Sequence, residues 1–280
     1  MPRYSYRIVN VFTQRGGPLT GNPLCVFEKG DSLDPGRMQA LALQFNLSET
    51  TFILPSQRAT ARVRIFTPRY EMPFAGHPTL GTAHVCRALG LAGDSLTLEM
   101  TAGIIGVQAG GTRWTLQANA PTWREVKEPV SALAQMLGIQ EDEISDKPLW
   151  VNTGTEQLIV PLATETAVKR AALQANAVSR LTNNNGAAMA YVFAQTGEHI
   201  LARFFFQQGN AVLEDPATGS ATANLGGWYL AMKRPLPVTF EISQGEFVGR
   251  PSTLYLHIDA KSVIRVSGDV LELGAGAILI

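Results

Sequence analysis

Two short segments of this chain carry residue types that bind and steady negative charge. Gly76-His77-Pro78 and Gly219-Ser220-Ala221 each set a glycine and a polar residue where a run of small and apolar residues begins. If each run is a helix, its opening N–H groups have no internal partner, and the macrodipole adds about half a positive charge there. Such an end attracts a carboxylate, a phosphate or an enolate oxygen. Taken one at a time, the segments are more simply read with Ser220 as a cap and His77 as a packing residue. Paired copies facing one another across a cleft would make them a binding site.

Two carboxylates stand near these segments in sequence. Glu49 lies in Asn46-Leu47-Ser48-Glu49-Thr50-Thr51-Phe52, between a helical pattern and an apolar strand. Partial desolvation there would raise its pKa toward the range useful for moving protons near neutral pH. The alternative is a solvated glutamate at a strand start. Asp215, in Glu214-Asp215-Pro216, immediately precedes the second candidate helix, where an Asp-Pro pair also suits a turn.

Other chemistries find little support. His84 follows His77 by seven residues, two helical turns, but no Asp, Glu or Cys joins them at helical spacing, so no metal centre is expected. His199 and His257 read as structural. There is no Walker loop, no Gly-x-Gly-x-x-Gly opening a helix after a strand, and no lysine in a cofactor-linking context, so no cofactor is expected. Ser220 lacks the setting of a hydrolase nucleophile. Gly226-Gly227, inside a helical pattern, suggests a close approach by another backbone.

The elements that must position these residues repeat. Glu71-Met-Pro-Phe-Ala-Gly76 and Glu214-Asp-Pro-Ala-Thr-Gly219 share Glu-x-Pro-x-x-Gly at an offset of 143 residues, in a chain of 280. Arg64-Ile65-Phe66 precedes the first copy and Arg203-Phe204-Phe205 the second, each an arginine in a β-prone run. After each copy comes a segment that is small or apolar nearly all round, the mark of a buried helix. Buried helices surrounded by strands imply sheets wrapped around them. The expectation is an internally duplicated, two-lobed α+β protein with a cleft between the lobes.

The remaining segments are read more coarsely. A helix is expected over 34–45, with Asp34 as N-cap and Pro35 in the first helical position. Strands fit 6–12, 23–27, 50–55, 61–67, 95–100, 103–109 and 113–118. The polar, proline-bounded 121–128 suits a linker. A short helix fits 130–138, ending at Gly138, and another fits near 165–174. Strands follow near 157–161, 189–194 and 200–206, and the last 45 residues are strand-like.

Composition narrows the class. Hydrophobic residues are 45% and charged residues 16%, which is enough for a sizeable core and too little charge for disorder. Lys plus Arg and Asp plus Glu are each 23, so a nucleic-acid partner is disfavoured. Two cysteines, Cys25 and Cys86, form no disulfide framework, which points to a reducing compartment. No secretory leader and no membrane-spanning run is evident, so a cytoplasmic protein without a membrane partner is expected.

In their order these segments resemble the phenazine-biosynthesis isomerase family, the PhzF-like proteins. The resemblance rests on Gly21-Asn22-Pro23, on Asn46 through Phe52, on Arg64-Ile65-Phe66-Thr67-Pro68 and on Pro73 through Ala83. In the second half it rests on Glu214 through Ala221, on Gln244-Gly245-Glu246 and on Gly249-Arg250-Pro251-Ser252. It implies a fold like diaminopimelate epimerase: two pseudo-symmetric lobes, each a strand-rich barrel around a central helix. The first lobe would span 1–120, joined by a C-terminal strand at about 268–280, and the second 121–267.

The resemblance also implies roles. Glu49 matches the catalytic acid/base, His77 and Asp215 its supporting polar residues, and Gly76, Gly219 and Ser220 the substrate-binding helix starts. Related racemases place cysteines where this chain has His77 and Ser220, so two-thiol racemisation is not expected. The implied activity is a cofactor-independent proton shift on a small carboxylated metabolite, in a homodimer. The alternative is a non-catalytic member that binds a small molecule or a protein. Val151-Asn152-Thr153-Gly154-Thr155-Glu156-Gln157 replaces the Gly-Pro-Arg-His type of the phenazine enzymes, a departure that bears on the substrate rather than on the reaction class.

Overall fold

A computed structural model of the chain describes residues 1–174, 181–209 and 211–280. The elements run β1 (Arg3–Val11), β2 (Asn22–Phe27), α1 (Pro35–Phe45), β3 (Glu49–Leu54), β4 (Ala61–Phe66), β5 (Glu71–Met72), α2 (Gly76–Ala88), β6 (Ser95–Met100), β7 (Gly103–Gly110) and β8 (Arg113–Gln117). They continue with β9 (Thr122–Glu125), α3 (Val130–Leu137), β10 (Leu149–Asn152), β11 (Glu156–Pro161), α4 (Glu165–Arg170), β12 (Met189–Thr196), β13 (His199–Gln208) and β14 (Ala211–Asp215). The last are α5 (Gly219–Ala231), β15 (Val238–Gln244), β16 (Ser252–Ile258) and β17 (Ile264–Leu279). The chain divides into two compact units, Met1–Gln117 with Ser267–Ile280, and Ala118–Val266.

In the first unit the strands close on themselves. β1 pairs antiparallel with β2, β2 parallel with β3, β3 antiparallel with β4, and β4 parallel with β6. Then β6 pairs with β7, β7 with β8, β8 with β17, and β17 antiparallel with β1. The result is a closed barrel of eight strands. α2 fills it. Gly76 to Ala83, Val85 and Cys86 are all buried, which is why this helix shows no polar stripe. Close approach to the wall requires Gly81, where a Cβ would stand 2.6 Å from Leu24 Cδ2 and 2.9 Å from Val11 Cγ2. α1 covers the outside. Its N-cap Asp34 accepts from the Arg37 N–H, and it ends at Asn46 in the left-handed region. Met38 and Leu41 join Phe27, Phe52 and Phe66 in a core cluster.

The second unit follows the same succession of pairings. β10 is antiparallel to β11, β11 parallel to β12, β12 antiparallel to β13, β13 parallel to β15 and β15 antiparallel to β16. α5, between β14 and β15, is buried all round from Gly219 to Tyr229 apart from Ser220. The fold is α+β with two pseudo-symmetric lobes, each a strand-rich layer around a buried helix, as in diaminopimelate epimerase.

The repeated Arg and Glu make the same contact in each unit. Arg64 donates from Nε and Nη2 to the two oxygens of Glu71 at 2.7 and 2.6 Å. Arg203 donates in the same fork to Glu214 at 3.0 and 2.7 Å. Each guanidinium also stacks on the phenylalanine two residues on, Phe66 at 5.0 Å and Phe205 at 4.7 Å. Each pair ties a central strand to the short strand that leads into the buried helix.

Three local expectations are corrected. Residues 121–128 are not a linker: β9 pairs with β10, with Trp123 opposite Val151 and Glu125 opposite Leu149. The polar residues sit on an exposed strand, and Arg124 pairs with Glu156. The helix expected near 165–174 ends at Arg170, because the Ala172 N–H turns to the Leu137 carbonyl. At Gly226 and Gly227 the close neighbours are side chains, not a backbone: Ile264 Cγ2 at 3.0 Å from a Cβ built on Gly226, and Val151 Cγ1 at 2.6 Å from one on Gly227. Among the described residues, no helix is long and apolar enough to cross a membrane.

Candidate active site

The parallel pairing of β2 and β3 sets Glu49, the first residue of β3, opposite Leu24, near the start of the strand that begins Asn22-Pro23. α2 begins over the same strand end. His77, its second residue, is buried and hydrogen-bonded to the Pro23 carbonyl. Its Nδ1 lies 3.4 Å from Glu49 Oε2. Burial pushes the His77 pKa down to about 3, and the Pro23 hydrogen bond opposes this only in part. The ring is therefore neutral at ordinary pH. Glu49 is largely buried, with 16% of its side chain exposed. It is not the solvated glutamate that a strand start also allows.

The start of α2 lacks a cap. Its N-cap residue is Ala75, which makes no side-chain cap hydrogen bond, and no acidic residue lies in the first turn. Gly76 is buried at the first helical position. The first unit thus brings Glu49, Gly76 and His77 together.

The second unit brings Asp215, Gly219 and Ser220 together at the start of α5. Thr218 is the N-cap, a residue type that usually bonds its own helix. Here its hydroxyl donates to Asp215 Oδ2 instead, and the first turn again receives no side-chain cap. Gln244 fixes this arrangement. Its Oε1 accepts from the Thr218 N–H at 3.3 Å, and its Nε2 donates to the Asp215 carbonyl at 2.9 Å and to Thr218 Oγ1 at 3.0 Å. Ser220 is not the cap. Its Oγ accepts from Gln157 Nε2 at 3.0 Å.

Gln157 and Asn224 adjoin this helix start; Asn224 was not singled out from the sequence, and Gln157 was named only as the last residue of the segment 151–157. Asn224 is fully buried in the middle of α5 and holds the segment 151–157 through Thr153 and Thr155. A buried amide carries no charge pattern to mark it. The one available signal was an asparagine in an otherwise small and apolar helix. His84, the other histidine of α2, accepts from Trp114 Nε1 at 3.3 Å and is structural. Among the described residues, no group of three His, Cys, Asp or Glu side chains is placed to hold a metal ion.

Both helix starts can bind an anionic oxygen through uncapped N–H groups. Each has a carboxylate beside it, Glu49 or Asp215, and a polar side chain in the second helical position, His77 or Ser220.

A model of the phenazine biosynthesis-like protein family matches residues 9–274. The chain belongs to this family. It is 36% identical, over 95% of its length and 96% of the relative's, to a trans-2,3-dihydro-3-hydroxyanthranilate isomerase of Pseudomonas aeruginosa. It is 35% identical, over 99% of its length and 94% of the relative's, to an uncharacterized isomerase of Pasteurella multocida. A crystal structure of a phenazine biosynthesis protein of the PhzF family from Bacillus anthracis superposes with a TM-score of 0.88 at 26% identity, covering all of both chains. By class this family member is an isomerase.

Proposed function

We propose that the chain is a cofactor-independent isomerase in which Glu49 shifts a proton on a small carboxylated metabolite. The observation that carries this reading is the Glu49–His77 contact at the uncapped start of α2. A largely buried carboxylate there lies 3.4 Å from a ring that burial keeps neutral. A carboxylate so placed can accept a proton and give it back.

The step balances within the substrate. The Glu49 carboxylate removes a proton from a carbon made acidic by conjugation, and the electron pair moves onto the substrate as an enolate-type anion. The glutamic acid then returns a proton at another carbon, restoring the carboxylate. Uncapped N–H groups and neutral donors aimed at the developing anion lower the barrier, because they are already oriented when the charge appears. His77 stands beside Glu49 as a neutral partner. In the second unit Asp215, Gly219 and Ser220 are read as binding groups, with the N–H groups of α5 suited to an anionic oxygen.

The test uses trans-2,3-dihydro-3-hydroxyanthranilate, the substrate named for the Pseudomonas aeruginosa relative. Wild type in heavy water is expected to incorporate deuterium into product, and Glu49→Gln to lose about 100-fold or more of that rate. Deuterium incorporation at an undiminished rate in Glu49→Gln would remove Glu49 from the proton step. Binding without turnover, equal in wild type and variant, would make the chain a non-catalytic binder.

A further inference from the structure

Inward-facing residues of β12 follow α5 along its length. Phe193 lies against Trp228 near the end of the helix, with ring centroids 5.3 Å apart. Tyr191, two residues earlier, has its hydroxyl beside Thr222 in the first turn. Met189, two earlier again, begins the strand. Two strand residues advance about 6.6 Å, the rise of a little over four helical residues. Counted back from Thr222, that step brings Met189 level with Thr218, the N-cap of α5.

The strand register carries this level across the sheet. Met189 pairs with Phe206 of β13, and Phe206 pairs with Leu213 of β14. Directly opposed residues share a face. The next row along reads Tyr191, Phe204 and Asp215, and α5 covers it through Thr222 and Thr218. The Met189 row is left uncovered: Leu213 is 39% exposed and Met189 and Phe206 are half-buried, whereas Phe204 is buried. Phe206 rests on Phe204, with centroids 6.1 Å apart and ring planes at 23°. Three neighbouring strands span about 10 Å. The chain thus exposes an apolar platform the width of a small ring compound, beside Asp215 and level with the helix start.

The first unit carries its candidate base in the equivalent row. There Thr51 pairs with Ile65 and Ile65 with Met72, and Thr51 bonds Thr82 of α2 at 2.8 Å. Two residues before Thr51 stands Glu49, beside His77 at the second position of α2. By its pairings β12 is the counterpart of β3, so Met189 holds the place of Glu49. The row that presents a carboxylate at one helix start presents an apolar surface at the other.

We propose that Met189, Phe206 and Leu213 are specificity-determining residues, forming a platform that seats the apolar face of a ring in the molecule bound at the start of α5. This rests on the reading of Asp215, Gly219 and Ser220 as binding groups and adds what their ligand carries besides polar atoms. Polar groups along one margin of an apolar floor complement a small molecule with one polar edge and one apolar face.

Titration calorimetry with anthranilate supplies the probe. Its ringless counterpart is β-alanine, which keeps the amine and the carboxylate at the same spacing. Wild type is expected to bind anthranilate more tightly than β-alanine by about tenfold or more. Leu213→Asn is expected to weaken anthranilate by about fourfold or more, the scale of one buried CH2 group, and to leave β-alanine unchanged. Leu213→Met should restore anthranilate binding. Phe206→Ala carries the same test if Leu213→Asn does not fold. Anthranilate affinity unchanged in both variants, no preference for anthranilate over β-alanine in wild type, or no anthranilate binding at millimolar concentration overturns the platform. So does a change in sedimentation of Leu213→Asn at unchanged anthranilate affinity, which would assign the platform to a second copy of the chain. The titration reads no turnover, so its failure leaves the Glu49 deuterium test standing, and a failure of that test leaves the titration standing.

Discussion

The His77 ring lies 3.4 Å from the Glu49 carboxylate and is neutral, because burial pushes its pKa down to about 3. Unfolded, the same ring titrates near 6.5. Above that pH both states hold it uncharged, and it contributes no pH dependence. Between the two values the unfolded chain takes up a proton that the folded chain refuses. Stability therefore falls as pH drops through this window, by up to about 1.4 kcal/mol per pH unit from this group. Urea midpoints measured from neutral pH downward should fall less steeply in His77→Gln than in wild type. Parallel slopes would place the acid-sensitive group elsewhere.

The two Arg–Glu forks should differ in worth. Arg203 and Glu214 each keep only 10% of their side chains exposed, and Arg203 Nη1 also donates to the carbonyls of Lys169 and Ala171 at 3.0 and 2.6 Å. Arg203→Met strands a buried carboxylate and should cost about 3–5 kcal/mol. Glu71 is 33% exposed, and solvent softens its loss of Arg64, so Arg64→Met should cost about 1 kcal/mol. Chemical denaturation of the two variants side by side reads the contrast.

Gly81→Ala opposes helix propensity to packing. Alanine favours the helix by about 1 kcal/mol. The new methyl would meet Leu24 and Val11 of the barrel wall at 2.6 and 2.9 Å, an overpacking that costs about 1–3 kcal/mol. Net destabilisation is expected. Gly106→Ala, where nothing lies within 4 Å of the added carbon, is the control and should change stability little.

Both thiols should be silent in the native state. Cys25 and Cys86 are buried, and burial raises both pKa values, that of Cys86 to about 12. The reactive thiolate is therefore scarce as well as covered. Ellman's reagent should titrate neither cysteine until denaturant is added, when both react. Rapid labelling of the native protein would contradict this.

Much of the site could be read from residue types because those types are distinctive. Asp34-Pro35 announced a helix start, and Arg64 with Glu71 and Arg203 with Glu214 marked equivalent places in two units. Glu49 and His77 were each visible, but their contact was not, since it depends on the parallel register of β2 and β3. The strand β9 was hidden because Thr122–Glu125 is polar, and its pairing with β10 is set by a partner some 25 residues away. Gln157 and Asn224 stand 67 positions apart, and nothing local in either indicates the other.

β17 belongs to both units: Ile264–Val266 lies in the second, and from Ser267 onward it lies in the first, where Leu279 pairs with Arg3. The barrel around α2 therefore lacks a stave until nearly the whole chain has left the ribosome. While the second unit is being synthesised, the edges of β1 and β8 wait unpaired, exposed to chaperones or to mispairing. A stop codon at position 267 would spare every candidate active-site side chain and still leave Glu49 and His77 in a barrel that cannot shut.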